Sequence, residues 1–197
     1  MNDIELKNVR KSFGERQVWD AFSCTFKAGE ITCIEGASGC GKTTLLRLIA
    51  GIEQPDSGTV TGVPERIAFV FQEDRLCEDF SARSNLRFVC GSSKTKAELS
   101  AHLKELGLDA GSHQPVRTFS GGMKRRVAIA RAICYDADCI LLDEPFQGLD
   151  AELKQSVMDY VLCYTKGKTV ICVTHDHSEA EYLGGRTILF PPSDNLT

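Results

Sequence analysis

A glycine-rich stretch of eight residues, GASGCGKT at positions 36–43, restricts the possible folds of this chain more than any other feature. The apolar run ITCIE before it predicts a buried parallel strand. The run TTLLRLIAG has leucines at helical spacing and ends at Gly51, which predicts a helix. A buried strand that turns directly into a helix is typical of a parallel sheet covered by helices, so the stretch predicts an α/β fold.

The same stretch fits the spacing G-x-x-x-x-G-K-[ST], which is typical of loops that wrap the phosphates of a nucleotide. Consecutive backbone N–H groups and the N-terminus of the following helix attract anions there. We expect the Lys42 ammonium to reach the β- and γ-phosphates and the Thr43 hydroxyl to ligate Mg²⁺. A glycine-rich turn with an incidental Lys-Thr pair is the simpler alternative. The predicted nucleotide-binding residues here are Gly36, Ala37, Ser38, Gly39, Cys40, Gly41, Lys42, Thr43 and Thr44.

An acidic pair, Asp143 and Glu144, closes a second apolar run, CILL. Ligands of parallel sheets gather at the carboxyl ends of strands, where the glycine-rich loop also lies. Asp143 would hold Mg²⁺ directly or through water, and Glu144 would polarise a water for in-line attack on a phosphate. Alone, such a pair is as often a strand end that meets solvent. Together with the loop, it predicts a site that hydrolyses a nucleotide.

Charge and cysteine usage exclude other classes of protein. The formal net charge is −4, and the basic run KRR at 124–126 is too short to offset it, so we expect no nucleic-acid partner. The nine cysteines show no zinc spacing. Cys33, Cys139 and Cys172 lie in apolar runs, which predicts buried, reduced thiols and a cytosolic location. No apolar run approaches the ~18 residues of a spanning helix, so any channel would come from other chains.

Strand and helix signals alternate along the rest of the chain. The runs IELKNV, VWDAFSCTF, RIAFVF, CILLD and TVICVT predict strands, whereas KAELSAHLKELGL and MKRRVAIARAIC predict helices. We therefore predict a single domain over 1–197. A catalytic core with a β subdomain would span 1–72 and 136–190, a helical subdomain 73–135, and a tail 191–197.

With these motifs, the chain resembles the ATP-binding-cassette (ABC) ATPases over nearly its whole length. The run FSGGM at 119–123 is similar to the family's LSGGQ signature, with Phe and Met in place of Leu and Gln. A Ser-Gly-Gly sequence ahead of a helix is a second anion-binding helix start. The resemblance implies a P-loop NTPase fold: a RecA-like parallel-sheet core, an antiparallel β subdomain and an inserted α-helical subdomain. It also implies a head-to-tail homodimer on ATP binding, in which Ser120, Gly121 and Gly122 cap the ATP of the other subunit.

Further positions match the family in its order. Gln72 resembles the Q-loop glutamine, which contacts Mg²⁺ or water and senses the transporter, and Asp150 resembles the D-loop aspartate at the dimer interface. His175 resembles the switch histidine, which would contact the γ-phosphate and orient Glu144; a structural histidine is the alternative. Phe13 resembles the aromatic that stacks on adenine, with a core phenylalanine as the alternative. The resemblance thus implies Glu144, His175, Gln72 and Lys42 as catalytic residues, and Thr43, Gln72 and Asp143 as metal ligands.

The other histidines carry no motif, so we predict that His102, His113 and His177 are surface residues. A segment that begins at Gln72 and runs through 73–89 is predicted to dock on a permease, because Leu76, Phe80, Leu86 and Phe88 lie there among charged residues, as in a groove that holds a partner helix. The alternative is that all four fill the core of the helical subdomain. For Leu86 and Phe88, a place in the core of the helical subdomain is the favoured alternative.

The resemblance implies an ATP-binding and ATP-hydrolysing transporter subunit that is cytoplasmic and peripheral on the inner face of the cell membrane. Its partners would be membrane permease subunits and an extracellular solute-binding protein. The run FQEDRL at 71–76 resembles FQ-[DE]-x-R-L of the nitrate, sulfonate and taurine importers, which favours an importer. Two alternatives remain: a soluble ABC ATPase with a non-transport role, and a non-hydrolysing nucleotide sensor. Intact Lys42, Asp143, Glu144 and His175 count against the sensor.

Overall fold

A parallel sheet and an antiparallel sheet frame the fold in the computed structural model, which describes residues 1–108 and 114–190. The strands are β1 Ile4–Phe13, β2 Arg16–Phe26, β3 Ile31–Glu35, β4 Ser57–Thr61, β5 Ile67–Val70, β6 Cys139–Asp143, β7 Thr169–Val173 and β8 Arg186–Leu189. The helices are α1 Lys42–Ile49, α2 Ala82–Cys90, α3 Lys96–Glu105, α4 Gly121–Cys134, α5 Ala151–Tyr164 and α6 His177–Leu183, and Val116–Thr118 forms a 3-10 turn.

The five-stranded sheet has the strand order β5-β6-β7-β3-β8. Strand β3 pairs in parallel with β7 and β8, and β6 pairs in parallel with β7. Every residue of β6 and β7 is buried, as expected of parallel strands covered on both faces. The nine cysteines are all free, and Cys33, Cys139 and Cys172 on these strands are fully buried, as predicted. The carboxyl ends of β3, β6 and β7 meet at one edge, and the predicted parallel core is confirmed.

The three-stranded sheet has the order β2-β1-β4, with both pairings antiparallel. Its inward side chains and those of α1 belong to one apolar cluster, which includes Ile4, Leu6, Phe26, Leu45 and Leu46. The antiparallel β subdomain is therefore present as predicted. Strand β2 of this sheet contacts the loop that precedes α1, through Arg16 and Trp19.

The chain divides into two compact units. The first comprises Met1–Phe69, Asp138–Glu144 and the described residues from Gly167 onwards, and the second comprises Val70–Ala137 and Pro145–Lys166. The subdomain boundaries given above stay a prediction. The predicted tail over 191–197 and His113 lie outside the described residues.

Helix α4 is the centre of the second unit, where α2, α3 and α5 pack against it. Leu99, His102 and Leu103 lie on the buried face of α3, about one helical turn apart. The Nδ1 atom of His102 lies 2.8 Å from the hydroxyl of Tyr160, and burial lowers the pKa of His102. The prediction that His102 is a surface residue is therefore wrong, because the hydroxyl partner allows the neutral ring to be buried.

Candidate nucleotide site

The glycine-rich loop joins β3 to α1, as the sequence predicts. The Nζ atom of Lys42 donates to the carbonyl oxygens of Gly36 and Ala37, at 2.7 and 2.9 Å. These bonds hold the ammonium at the mouth of the loop. Gly41, the residue before α1, has a φ of 101°, and a Cβ there would lie 2.6 Å from a Val18 methyl. Only glycine fits this position, because any other residue would have a strained backbone and its Cβ would clash with the Val18 and Trp19 side chains.

Strand β2 contacts the glycine-rich loop through Trp19. The indole Nε1 of Trp19, the one tryptophan of the chain, donates to the carbonyl oxygen of Cys40 over 3.4 Å. Trp19 and Cys40 are both buried, at 7% and 4% exposure. The sequence did not single out Trp19, because its contact with the loop joins residues 21 positions apart. The contact makes the indole a natural fluorescent reporter of the loop.

Asp143 ends β6 and is 1% exposed. Its Oδ1 atom is buried and has no hydrogen-bond partner among the described residues. Burial raises the pKa of Asp143, against an opposing hydrogen bond with Thr43. An unpartnered buried carboxylate oxygen is costly unless a cation or donor reaches it. Together with the Thr43 hydroxyl, it offers the hard oxygen ligands that Mg²⁺ prefers, so the residues fit the predicted metal.

Glu144 and His175 lie in direct contact after β6 and β7. The backbone N–H of Glu144 donates to Val173 over 2.9 Å, and Glu144 has a φ of 50°, which is uncommon for a residue with a side chain. Its Oε2 atom lies 2.6 Å from Nδ1 of His175. A carboxylate can only accept, so the imidazole Nδ1–H donates to Glu144. The two residues implied by the family resemblance as base and switch are therefore brought together from 31 positions apart.

Phe13 ends β1 and is 45% exposed, so the alternative of a core phenylalanine is wrong. The ammonium of Lys11 lies 4.9 Å from the centre of its ring. Lys11 itself is anchored by the carbonyl oxygen of Gln54, at 2.9 Å, and by Asp56. The cation holds the ring in place at the surface and leaves its apolar area open for stacking.

The signature residues lie in the second unit. Ser120 caps α4, where its Oγ accepts the N–H of Met123 at 3.3 Å, and Gly121 and Gly122 open the helix. A Cβ on Gly122 would lie 3.4 Å from Leu149, so the signature adjoins the GLD turn. Asp150 of that turn caps α5. The signature and the predicted D-loop are thus neighbours within this unit.

Gln72 is exposed, and its backbone is held by an arginine of the signature helix. The Arg125 guanidinium donates to the carbonyl oxygen of Phe71 over 2.6 Å and to that of Gln72, and its Nε lies 3.3 Å from Asp74. Arg131 donates to the carbonyl oxygen of Asp74 over 3.1 Å. The sequence showed Arg125 only as part of a short basic run, although it is 7% exposed. A fork of donors with backbone acceptors explains why this charge can be buried.

The sequence profile of the family described as ABC transporter matches residues 19–147. This chain belongs to the ABC transporter family. Among the described residues, no helix is both long and apolar enough to cross a membrane.

Relatives of this ABC cassette carry importer names. Aliphatic sulfonates import ATP-binding protein SsuB 2 of Burkholderia cenocepacia (strain HI2424) is 36% identical over 200 residues, which cover 96% of this chain and 74% of that protein. Aliphatic sulfonates import ATP-binding protein SsuB 1 of Nocardia farcinica (strain IFM 10152) is 39% identical over 191 residues, which cover 94% of this chain and 77% of that protein.

Solved ABC cassettes share the fold. A dimeric structure of the ATP-binding cassette MJ0796, in a post-hydrolysis state bound to ADP and Pi, has a TM-score of 0.81 at 30% identity, and the match covers 95% of this chain and 94% of that one. A second dimeric structure of MJ0796, a bacterial ABC transporter cassette, has a TM-score of 0.82. The predicted family, the P-loop ABC fold and the function of an ATP-binding, ATP-hydrolysing transporter cassette are confirmed.

Proposed function

We propose that this cassette powers an importer of small organic anions, such as aliphatic sulfonates, through a separate membrane permease. It would act at the cytoplasmic face of the membrane, with an extracellular solute-binding protein in the same system. The observation that carries the hydrolytic part is the 2.6 Å contact between His175 and Glu144 at the strand edge that also carries the phosphate loop. The importer part is supported by the names of the relatives and by the run FQEDRL.

The residues of the first unit divide the chemistry among them. The loop amides and the Lys42 ammonium bind the ATP phosphates, and Phe13 stacks on the adenine. Asp143 and Thr43 would hold Mg²⁺, which neutralises charge on the phosphate oxygens. Glu144 polarises the attacking water, and His175 keeps the Glu144 carboxylate in one orientation by donating from Nδ1. The roles of Gln72 and Asp150 stay predictions.

The signature residues are proposed to act on a second copy of the chain. Ser120 and Gly121 are exposed and Gly122 is half-buried at the start of α4, which supports the approach of a phosphate to this helix N-terminus. A head-to-tail dimer would bring each signature to the ATP that the other copy holds. Such a dimer depends on ATP, because the nucleotide completes its interface.

The permease is proposed to dock on an exposed aromatic pair of the second unit. The rings of Phe80 and Phe88 meet edge to face, 5.0 Å apart, and are 51% and 54% exposed. Of the two leucines in the predicted docking segment, Leu76 is half-buried and Leu86 is fully buried, and the burial of Leu86 agrees with the core alternative. The same alternative is wrong for Phe88, which lies about 200° around α2 from Leu86. Exposed aromatic rings are common anchors for a partner helix.

Replacement of Glu144 by glutamine tests the proposed chemistry. Glu144→Gln should still bind ATP, but its rate of ATP hydrolysis should fall at least about 100-fold, because an amide cannot polarise water as a carboxylate does. With ATP, it should elute from a sizing column as a dimer, and without ATP as a monomer. Lys42→Ala is the matched variant: it should lose ATP binding itself. Wild-type turnover by Glu144→Gln, or only monomer with ATP at high protein concentration, would contradict the proposal.

A further inference from the structure

His175 lies in the turn between β7 and α6. Few neighbouring atoms pack against its side chain. The His175 side chain is 62% exposed, whereas the preceding residue, Thr174, is fully buried. The backbone N–H of Thr174 donates to the carbonyl oxygen of Ile34 on β3 over 3.1 Å. Apart from its 2.6 Å contact with Glu144, the direction of the imidazole therefore depends on how the backbone of this turn is held.

A buried carboxylate of α6 faces that turn. Glu179 is 4% exposed, and its Oε2 lies 2.5 Å from the hydroxyl oxygen of Thr174. Because a carboxylate only accepts, the Thr174 hydroxyl must donate to Glu179. The same hydroxyl oxygen then accepts the N–H of Asp176 at 3.1 Å. The chain of bonds from Glu179 through Thr174 to Asp176 thus spans both neighbours of His175.

The next residues fix the far side of the turn. Asp176 Oδ1 accepts the N–H and the hydroxyl of Ser178, at 3.0 and 2.6 Å. Nδ1 of His177 lies 3.1 Å from Glu35, the last residue of β3. Both ends of the turn are therefore bonded to regular elements. A buried carboxylate contributes less to the stability of the fold than a well-packed apolar side chain of similar size. The burial of Glu179 therefore points to a role in holding the geometry of this turn.

We propose that Glu179 is a positioning residue for ATP hydrolysis. Through the Thr174 hydroxyl, it holds the turn that aims the His175 imidazole at Glu144. Because Glu179 is 4% exposed and acts through the Thr174 hydroxyl, we expect its effect to fall on kcat rather than on ATP binding. The inference rests on the proposed role of His175.

The test uses the full chain and the near-isosteric variant Thr174→Val, which removes the hydroxyl alone. We expect kcat for ATP to fall about 10-fold to 100-fold, because a small misplacement of a catalytic group is costly. KM and the ATP affinity, read from Trp19 fluorescence, should stay within about threefold of wild type. Thr174→Ser keeps the hydroxyl and should restore most of kcat.

A matched control separates positioning from general damage. Thr165 of the second unit is also buried, and its hydroxyl donates to Val161 over 2.8 Å. Thr165→Val also loses one hydroxyl hydrogen bond and should lower stability, but it should not lower kcat. The carboxylate is tested independently: Glu179→Gln still accepts from Thr174 and should stay near the wild-type kcat, whereas Glu179→Met should behave like Thr174→Val.

A spectroscopic measurement reports the geometry directly. The chain has four histidines, so the ¹⁵N signals of the His175 ring can be assigned by substitution. The signature of Nδ1–H bonded to a carboxylate should be present in the wild type and in Thr165→Val and lost in Thr174→Val and Glu179→Met. Wild-type kcat in Glu179→Met, or an unchanged His175 ring signal in that variant, would overturn the inference.

One further variant distinguishes this inference from the proposal beneath it. If His175→Ala hydrolyses ATP at the wild-type rate, the proposed role of His175 is wrong, and the inference fails with it. If His175→Ala is slow and Thr174→Val is fast, only the positioning role of Glu179 is refuted.

Discussion

Two helix starts in this protein share a glycine-rich approach but are built in opposite ways. At α1, Gly41 is left-handed, no side chain caps the helix, and Val18 and Trp19 crowd the backbone. At α4, Ser120 caps the helix, and a Cβ on Gly121 would meet nothing within 4 Å. The first start is shaped by its own unit, whereas the second is open. Glycine in an open helix start has no role in the unit's own packing, which supports an approach by another molecule.

The largest effects are expected from alanine substitutions of the glycines at the two helix starts. Gly41→Ala should weaken ATP binding about 100-fold or more and lower stability by about 2–4 kcal/mol, because strained backbone and overpacking add. Gly121→Ala should leave the melting temperature and the ATP affinity of the monomer unchanged and weaken ATP-dependent dimerisation. Thermal melts, Trp19 fluorescence and a sizing column measure the three quantities. Equal losses of stability in the two variants would contradict the comparison.

The next effect concerns the second unit alone. Substitution of Leu76 and Phe80 by serine should leave the fold and the basal ATPase activity intact, since Phe80 is half exposed. Coupled transport should fall about tenfold or more, because aromatic anchors carry much of the energy of an interface. Transport in vesicles reconstituted with the permease measures it. Normal transport would refute the docking surface, and an unfolded double variant would assign both residues to the core.

A smaller effect is expected at Phe13 of the first unit, which is proposed to stack on adenine. Phe13→Ala should weaken ATP affinity about threefold to tenfold, which corresponds to the loss of one stacking contact. Tyr135 of the second unit is 37% exposed and supplies the control, since Tyr135→Ala should leave the affinity unchanged. Titration of both variants with ATP decides between them. Wild-type affinity in Phe13→Ala would remove this residue from the site.

The smallest expected effect is on the pH dependence of stability, and it compares His177 of the first unit with His102 of the second. Hydrogen bonding to Glu35 raises the pKa of His177 above 6.5, so its contribution is present below that pH and lost as pH rises through the raised value. Burial lowers the pKa of His102, so its contribution is present above 6.5 and lost as pH falls through the lowered value. His177→Gln should flatten the alkaline side of a stability profile, and His102→Gln the acid side. Profiles from urea unfolding that change on the same side would contradict this contrast.

Motifs that act through the local backbone could be predicted from the sequence. The phosphate loop, the buried strands β3, β6 and β7 and the Ser120 cap each depend on residues within a few positions of one another. The strand ends then place Asp143 near Thr43, because parallel strands end at a common edge. Phe13 was identified only by its resemblance to the family, and its stacking on adenine stays a prediction.

The sequence by itself determined the family and the fold class, because those depend on short-range patterns of glycine, apolar and charged residues. The roles of the individual site residues stay predictions. Only the tertiary structure decided which side chains meet. The burial of His102, the exposure of Phe88, the grip of Arg125 on the Gln72 segment and the bond from Glu179 through Thr174 depend on the packing of whole elements. Arg125 and Phe71, for example, are 54 positions apart. Hydrogen bonds over such separations form only after the helices and strands have packed, so no local pattern encodes them.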